Sequence, residues 1–179
     1  MNFFNNISIF KKVIAIFILA VIIFALNLSI SVISINKNRT TLNYMEQQVY
    51  QRVELANQNV FFIQRLDELY TQSVSFADED LLTNAGTMYE SLRKNLQQLD
   101  NVDPSQANQL NNLSAKLTRY NDITIKLAKG MLAGTIDMAN IGQISQEKSQ
   151  AYEAVLNEIQ NYKQEKVLEF KQSIKEAGD

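Results

Sequence analysis

Apolar residues beyond residue 36 recur at intervals of three and four, which is the spacing of one face of an α-helix. The third such stripe consists of Leu110, Leu113, Leu117, Tyr120, Thr124, Leu127 and Met131. Comparable stripes run through residues 42–74, 85–99 and 144–177, and short polar or glycine-containing stretches separate them. Heptad-like seams of this kind predict four helices that pack against one another at shallow angles.

A continuous apolar stretch precedes these helices. Residues 13–35 carry no charge, and about 23 residues rising roughly 1.5 Å each are enough to cross the hydrocarbon core of a bilayer. A cleaved signal peptide is the alternative, but FALNLS lacks the small-x-small spacing of a cleavage site. We therefore expect a retained signal anchor. Because no helix breaker occurs between residues 36 and 77, the anchor is predicted to continue into the first helix of the bundle.

Three consecutive acids, Asp78, Glu79 and Asp80, lie where the first stripe ends and the second begins. Asp78 is placed to be an N-cap, and the other two carboxylates would favour the positive end of the helix dipole. The alternative is a divalent-cation site, which would need more oxygen ligands, and Asp137 is the one obvious further candidate. We interpret the acids as a helix start.

A second break contains Asp103, Pro104 and Ser105, which predict a cap, a first-turn proline and a new helix. The two outer helices are longer than the two inner ones. The predicted fold is all-α: an N-terminal transmembrane helix continuing into an antiparallel up-down-up-down four-helix bundle.

The composition excludes several kinds of chemistry. The chain of 179 residues has no cysteine and no histidine, which excludes disulfides, thiolate or imidazole zinc sites and Ser-His-Asp triads. The formal charge of −2 gives no indication of a nucleic-acid partner. No constellation of acid, base and nucleophile is visible, so we expect neither an enzyme nor a bound cofactor or metal.

The stretches FKKVIAIFILAVIIFALNLSI, LDELYTQSVSFADEDLLTNA and LAKGMLAGTIDM belong to a chain that resembles the four-helix-bundle sensor region of bacterial methyl-accepting chemotaxis proteins. The resemblance implies a cytoplasmic tail over residues 1–12, an inner-membrane anchor over 13–35 and a periplasmic or extracellular ligand-binding region over 36–179. It also implies a homodimer and, after residue 179, a second transmembrane helix and a cytoplasmic signalling domain.

In related aspartate-type receptors, arginines on the dimer-facing helices hold the carboxylate of the ligand, which suits the planar guanidinium fork. The arginines beyond the anchor are Arg39, Arg52, Arg65, Arg93 and Arg119. None shows the clustered spacing of such a pocket, and we interpret them as solvated side chains, with local ion pairs at Arg65 and Arg119. The groups that we expect to contact a ligand in the membrane-distal half are Arg65, Tyr70, Arg119 and Asn121.

A dimer along the first helix would bring two copies of Arg65 together, and an anionic ligand would relieve their repulsion. The resemblance implies that the partner is a small-molecule ligand or a periplasmic binding protein. Two alternatives stay open. The same module occurs on diguanylate cyclases and histidine kinases, and the chain could also be a passive membrane-tethered helical bundle.

Overall fold

A computed structural model describes residues 9–44, 48–137 and 139–178. Within these ranges all regular structure is helical, which confirms the all-α prediction. The helices are α1 (Ile9–Tyr44), α2 (Tyr50–Phe76), α3 (Glu79–Val102), α4 (Ala107–Leu132) and α5 (Ile141–Gly178), with a short 3-10 helix at Pro104–Gln106. The chain divides into two compact units, Met1–Asn43 and Tyr44–Asp179.

The described residues of the first unit, 9–43, all belong to α1. None of its described residues is buried, and its most apolar 18-residue window has a mean hydropathy of 3.0. The helix is long and apolar enough to cross a membrane. It runs past Ile35 to Tyr44, as predicted. The predicted continuation into the next helix depends on residues 45–47, which lie outside the described residues.

The second unit is a helical bundle in which α2 to α5 share one hydrophobic core. Its largest fully buried aliphatic side chains are Ile63, Leu66, Leu92, Leu99, Leu110, Leu113, Leu117 and Ile159. The stripe predicted on α4 is buried from Leu110 to Leu127, whereas Met131 at its end is 39% exposed. On α2 the predicted positions Ala56, Ile63, Leu66 and Tyr70 are buried, but the polar Asn59 is buried as well and the predicted Val60 is only half-buried.

The break between α2 and α3 confirms the predicted helix start. Oδ1 of Asp78 accepts hydrogen bonds from the backbone N–H groups of Asp80 at 2.8 Å and Leu81 at 3.1 Å. Glu79 and Asp80 occupy the first turn. Immediately before the cap, Ala77 has φ 53°, a left-handed conformation that ends α2. The acids are therefore accounted for by helix capping.

The other two breaks differ in how they end a helix. As predicted, Asp103 occupies the N-cap position of a short helical turn that begins at Pro104, but its side chain makes no capping hydrogen bond. The segment between α4 and α5 turns at Gly134, where φ is 64° and glycine avoids a steric cost. Farther along this segment, Oδ1 of Asp137 accepts a bond from the N–H of Ala139 at 3.0 Å.

Candidate functional site

Two groups of polar side chains connect the helices of the bundle, and each combines buried members with partly exposed ones. The first, here named the tyrosine cluster, consists of Asp67, Tyr70, Tyr120, Asn121 and Lys148. The second, here named the ionic cluster, consists of Arg52, Asp103, Tyr162, Lys166 and Glu169. Burying such groups is costly unless they are paired. Their contacts are therefore the first place to look for a specific role.

The tyrosine cluster connects α2, α4 and α5 through short hydrogen bonds. The hydroxyl of Tyr70, which is 1% exposed, donates to Oδ1 of Asn121 at 2.6 Å. The hydroxyl of Tyr120 donates to Oδ1 of Asp67 at 2.9 Å, and Nζ of Lys148 lies 2.6 Å from the same oxygen. Asp67 thus accepts a hydrogen bond from Tyr120 on α4 and pairs with Lys148 on α5.

Both tyrosine hydroxyls of this cluster stay protonated at neutral pH. Burial raises the pKa of Tyr70 to about 12, and the nearby Tyr89 and Asp122 act in the same direction. Burial also raises the pKa of Tyr120, and the negative charge of Asp67 adds to this effect. Each hydroxyl is therefore a fixed hydrogen-bond donor.

A cavity of about 300 Å3 adjoins the tyrosine cluster between α2, α4 and α5. Asp67, Tyr70 and Lys148 line it together with the apolar side chains of Leu127 and Met131. Small-molecule sites typically combine apolar walls with a few placed polar groups. This cavity has that combination, with an ion pair at its edge.

The structure brings together two of the four residues predicted to contact a ligand. Tyr70 and Asn121 are in direct contact, and Tyr70 lines the cavity. Positions 119 and 121 differ by about 200° around a helix, so Asn121 faces the core while Arg119 faces outward.

The two arginines lie apart from this pair of residues. Arg65 is partly exposed, and its guanidinium donates to Glu68 at 2.8 Å, which confirms the local ion pair expected there. Arg119 is exposed and borders a separate groove with Lys116 and Glu147, and the local ion pair expected with Asp122 is not formed. That any of the four residues binds a ligand stays a prediction.

The ionic cluster centres on Asp103, whose side chain is 0% exposed. Its Oδ2 accepts a hydrogen bond from the hydroxyl of Tyr162 at 2.9 Å and lies 2.7 Å from Nζ of Lys166. Its Oδ1 accepts from the hydroxyl of Ser105 at 2.8 Å. Three donors therefore satisfy a carboxylate that has no access to water.

Arg52 completes the ionic cluster from the first turn of α2. Its Nε donates to the carbonyl oxygen of Val102 at 2.9 Å, and its Nη1 donates to Glu169 at 3.0 Å and lies 3.6 Å from Asp103. Lys166 also lies 3.1 Å from Glu169. Two positive and two negative charges thus balance in contact with one another, as burial of charge requires.

The local environment sets the protonation state of Asp103. Burial acts to raise the pKa of this carboxyl, but the hydrogen bonds from Lys166, Ser105 and Tyr162 outweigh it and the pKa is lowered. For Tyr162, burial and the charge of Asp103 both raise the pKa. The carboxylate is therefore ionised and the phenol protonated at neutral pH.

Sequence reasoning missed the ionic cluster. Arg52 was predicted to be solvated, but it is only 9% exposed, because it lies on the face of α2 that packs against the other helices. One signal was available: the stripe on α5 jumps from Tyr162 to Phe170, and Lys166 stands midway, at a seam position that is 4% exposed. A lysine inside a seam indicates a buried partner of opposite charge.

Within the part of the chain that the structure describes, no group of three or more acidic side chains could hold a metal ion. Comparison of the chain with the models of known protein families, with characterised proteins and with solved structures found no match. The features of this chain that indicate a function are therefore the two clusters, the cavity and the exposed apolar helix α1.

Proposed function

We propose that the chain is the sensor region of a transmembrane receptor of the methyl-accepting chemotaxis type, which transmits a signal across the bacterial inner membrane. In this proposal residues 1–12 are cytoplasmic, residues 13–35 cross the membrane and residues 36–179 form an antiparallel four-helix bundle outside it, as a homodimer. The exposed apolar surface of α1 supports the anchor, because such a surface is unfavourable in water and favourable in the hydrocarbon core of a bilayer.

One observation carries the sensory part of the proposal. Two charged contacts join α2 to α5: Asp67 pairs with Lys148 at 2.6 Å, and Arg52 pairs with Glu169 at 3.0 Å. The earlier residue on α2 pairs with the later residue on α5, which is the order of antiparallel helices. The two contacts lie about 22 Å apart along α2, at 1.5 Å per residue.

This arrangement suggests how a bound molecule would change the bundle. The cavity adjoins the pair of Asp67 and Lys148, so an occupant that competes for either charge would weaken one of the two contacts between α2 and α5. The contact of Arg52 and Glu169 would remain. A shift of α5 along or about α2 is the motion that such receptors need to move a second membrane span.

A fusion protein tests the proposal without knowledge of the ligand. Residues 1–179 would be joined to the second membrane span and the cytoplasmic signalling domain of a characterised chemoreceptor, and the activity of the associated kinase would be measured. Lys148→Gln, which removes the charge opposite Asp67, should change the basal kinase activity. Lys126→Gln, at an exposed position of α4, is the matched control and should leave it unchanged.

Two outcomes would count against the proposal. Kinase activity that is the same in all three fusions would favour a passive membrane-tethered bundle. Alkaline phosphatase fused after Tyr44 tests the orientation, because this enzyme is active only outside the cytoplasm. An inactive fusion that is produced at normal levels would contradict the proposed location of the bundle.

A further inference from the structure

The cavity beside the tyrosine cluster contains two side chains of opposite charge that a ligand can reach. Among the described residues that line it, the charged ones are Asp67 on α2 and Lys148 on α5, and they pair with each other at 2.6 Å. The side chain of Asp67 is 28% exposed and that of Lys148 is 20% exposed. The two differ in how firmly each is held.

Asp67 is the fixed member of the pair. Its Oδ1 accepts a hydrogen bond from the hydroxyl of Tyr120, a fully buried residue that stays protonated at neutral pH. Movement of Asp67 would leave this buried hydroxyl without its acceptor, which is costly. Its Oδ2 accepts no hydrogen bond from the described residues, so the carboxylate can accept further donors without giving up Tyr120.

Lys148 is the mobile member of the pair. Among the described residues its ammonium group pairs with Asp67 and with no other acid. A lysine head is strongly hydrated and its stem is flexible, so it can turn into water while the stem stays against the protein. Lys148 can therefore leave Asp67 at a lower cost than Asp67 can leave Tyr120.

This difference determines which charge the ligand should carry. An anion that pairs with Lys148 either lies close to Asp67, which repels it, or draws Lys148 away and leaves that carboxylate without a counter-charge. A cation that pairs with Asp67 displaces Lys148 into solvent, where the lysine is hydrated. The ammonium group now 2.6 Å from Asp67 already makes the contact that a cationic ligand would make.

The remaining walls of the cavity determine the body of the ligand. Most of the lining surface is apolar, and the side chains that contribute it include Tyr70, Val74, Leu127, Ala128, Met131 and Tyr152. Val74 lies about 10 Å beyond Asp67 along α2. Met131 is 39% exposed although it continues the buried stripe of α4, so an apolar group in the cavity would remove its surface from water.

We propose that the cavity binds a primary amine with an apolar body, and that Lys148 occupies the position of the amine when no ligand is bound; this assignment rests on the sensory function proposed above. The ammonium group of the ligand displaces that of Lys148 from Asp67, and the apolar body lies against Leu127 and Met131. Lys148 is thus a tethered competitor, and its displacement breaks the contact of α2 with α5 at this level.

Isothermal titration calorimetry on the full chain in non-ionic detergent micelles tests the charge of the ligand. The probe is phenethylamine. Hydrocinnamate and phenethyl alcohol are the controls, because they carry an anionic and a neutral group on a similar body. Titration into micelles without protein corrects for partitioning into detergent. The expected result is saturable binding of the amine, with both controls at least about tenfold weaker because neither can form an ion pair with Asp67.

Two variants of the ion pair should change the affinity for phenethylamine in opposite directions. Asp67→Asn removes the charge that the ammonium group needs and should weaken binding about tenfold or more. Lys148→Gln removes the competitor and should tighten binding about three- to tenfold. Damage to the bundle could only weaken binding, so tighter binding by Lys148→Gln would not have that origin.

Two control variants make the same changes of net charge away from the cavity. Glu54→Gln neutralises an exposed acid of α2 that lies about 20 Å from Asp67 along the helix. Lys126→Gln neutralises an exposed lysine of α4 that does not line the cavity. Both should leave the affinity for phenethylamine within about twofold of the wild type.

Absence of saturable amine binding or equal binding of hydrocinnamate would overturn the proposal. So would binding that Asp67→Asn leaves unchanged, or that Lys148→Gln fails to tighten. The test of the sensory function is separate. Amine binding together with a fusion kinase that ignores Lys148→Gln would remove the sensory function and keep the ligand class, whereas a responsive kinase without amine binding would do the reverse.

Discussion

Tyr162 on α5 donates a hydrogen bond of 2.9 Å to Asp103, although 59 residues separate the two along the chain. Lys166, one turn later on α5, lies 2.7 Å from the same carboxylate oxygen. Together they hold the end of α3 against α5 at a carboxylate that is shielded from solvent. Because a buried carboxylate is stable only with its partners in place, this relationship specifies how the two helices align.

Replacing Asp103 by Asn should strongly destabilise the bundle. The substitution leaves Arg52 and Lys166 facing Glu169 alone, so one buried positive charge has no counterpart. Breaking a buried ion pair typically costs about 3–5 kcal/mol. Urea denaturation monitored by circular dichroism measures the change, and the exposed control Asp122→Asn should stay within about 0.5 kcal/mol of the wild type. Equal losses in the two variants would mean that Asp103 contributes no more than a surface charge.

Tyr70→Phe should lower stability at neutral pH by about 1–3 kcal/mol, because Oδ1 of the buried Asn121 loses its donor. The size of this loss should depend on pH. The pKa of Tyr70 is raised from 10.0 to about 12 in the folded protein. The contribution of the protonated hydroxyl is therefore complete below the unfolded pKa and is lost as the pH rises from 10.0 to about 12. Unfolding curves measured across this range should converge for the two proteins, and parallel curves would contradict the assignment.

Asn59→Leu should stabilise the bundle. Asn59 is 1% exposed, and neither its Nδ2 nor its Oδ1 has a hydrogen-bond partner among the described residues. Leucine has the same branching of side-chain heavy atoms, is somewhat larger and removes two unsatisfied polar atoms, for a gain of about 1–2 kcal/mol. Asn57→Leu, at an exposed position two residues earlier, is the control and should give no gain. A lower melting temperature for Asn59→Leu would show that the amide has a hydrogen-bonded role.

Leu117→Asp should unfold the bundle, because Leu117 is 0% exposed and an unpaired carboxylate at its position costs several kcal/mol, roughly 3 or more. The neighbouring substitution Lys116→Asp is not a suitable control. Lys116 pairs with Glu158 at 2.6 Å, so an acid at its position would repel that carboxylate. Asn112→Asp on the same helix is exposed and should leave the melting temperature nearly unchanged. Similar melting temperatures for the two variants would contradict the helix register.

Residues 37–179 without the anchor should be soluble and mostly helical. The motivation is that Tyr44–Asp179 forms a compact unit with its own core. Far-ultraviolet circular dichroism of the purified fragment provides the measurement. A spectrum dominated by coil or strand would contradict the expectation that this unit folds by itself.

The pattern of apolar residues was sufficient to predict the helices of the bundle, because long stripes spaced three and four apart fit one type of structure. Leu113 and Leu117 are buried as the spacing requires. The capping preference of aspartate also located the helix start at Asp78, since an N-cap is a local interaction between neighbouring residues. Features determined within a few residues of sequence were therefore accessible.

Interactions between helices of the bundle could not be predicted from the sequence in the same way. Asp103 precedes a proline and has the local features of a cap. Its side chain nevertheless enters the core, because it accepts a hydrogen bond from Tyr162 there and pairs with Lys166. Arg52 was misjudged for the same reason, since its partner Glu169 lies 117 residues away. Tyr70 was predicted to contact a ligand, which stays a prediction, and its bond to Asn121 required the relative placement of two helices.

The separation between Arg52 and Glu169 also has a consequence for biosynthesis. Arg52 and Asp103 are synthesised well before α5, and until Glu169 and Lys166 follow, each lacks its charged partner on α5. In the growing chain α2 to α4 would therefore be incompletely packed, and the face of the core that α5 covers would still be exposed to solvent. Closure of the ionic cluster would then be a late event, which makes synthesis of the far end of α5 the step that commits the bundle to its final packing.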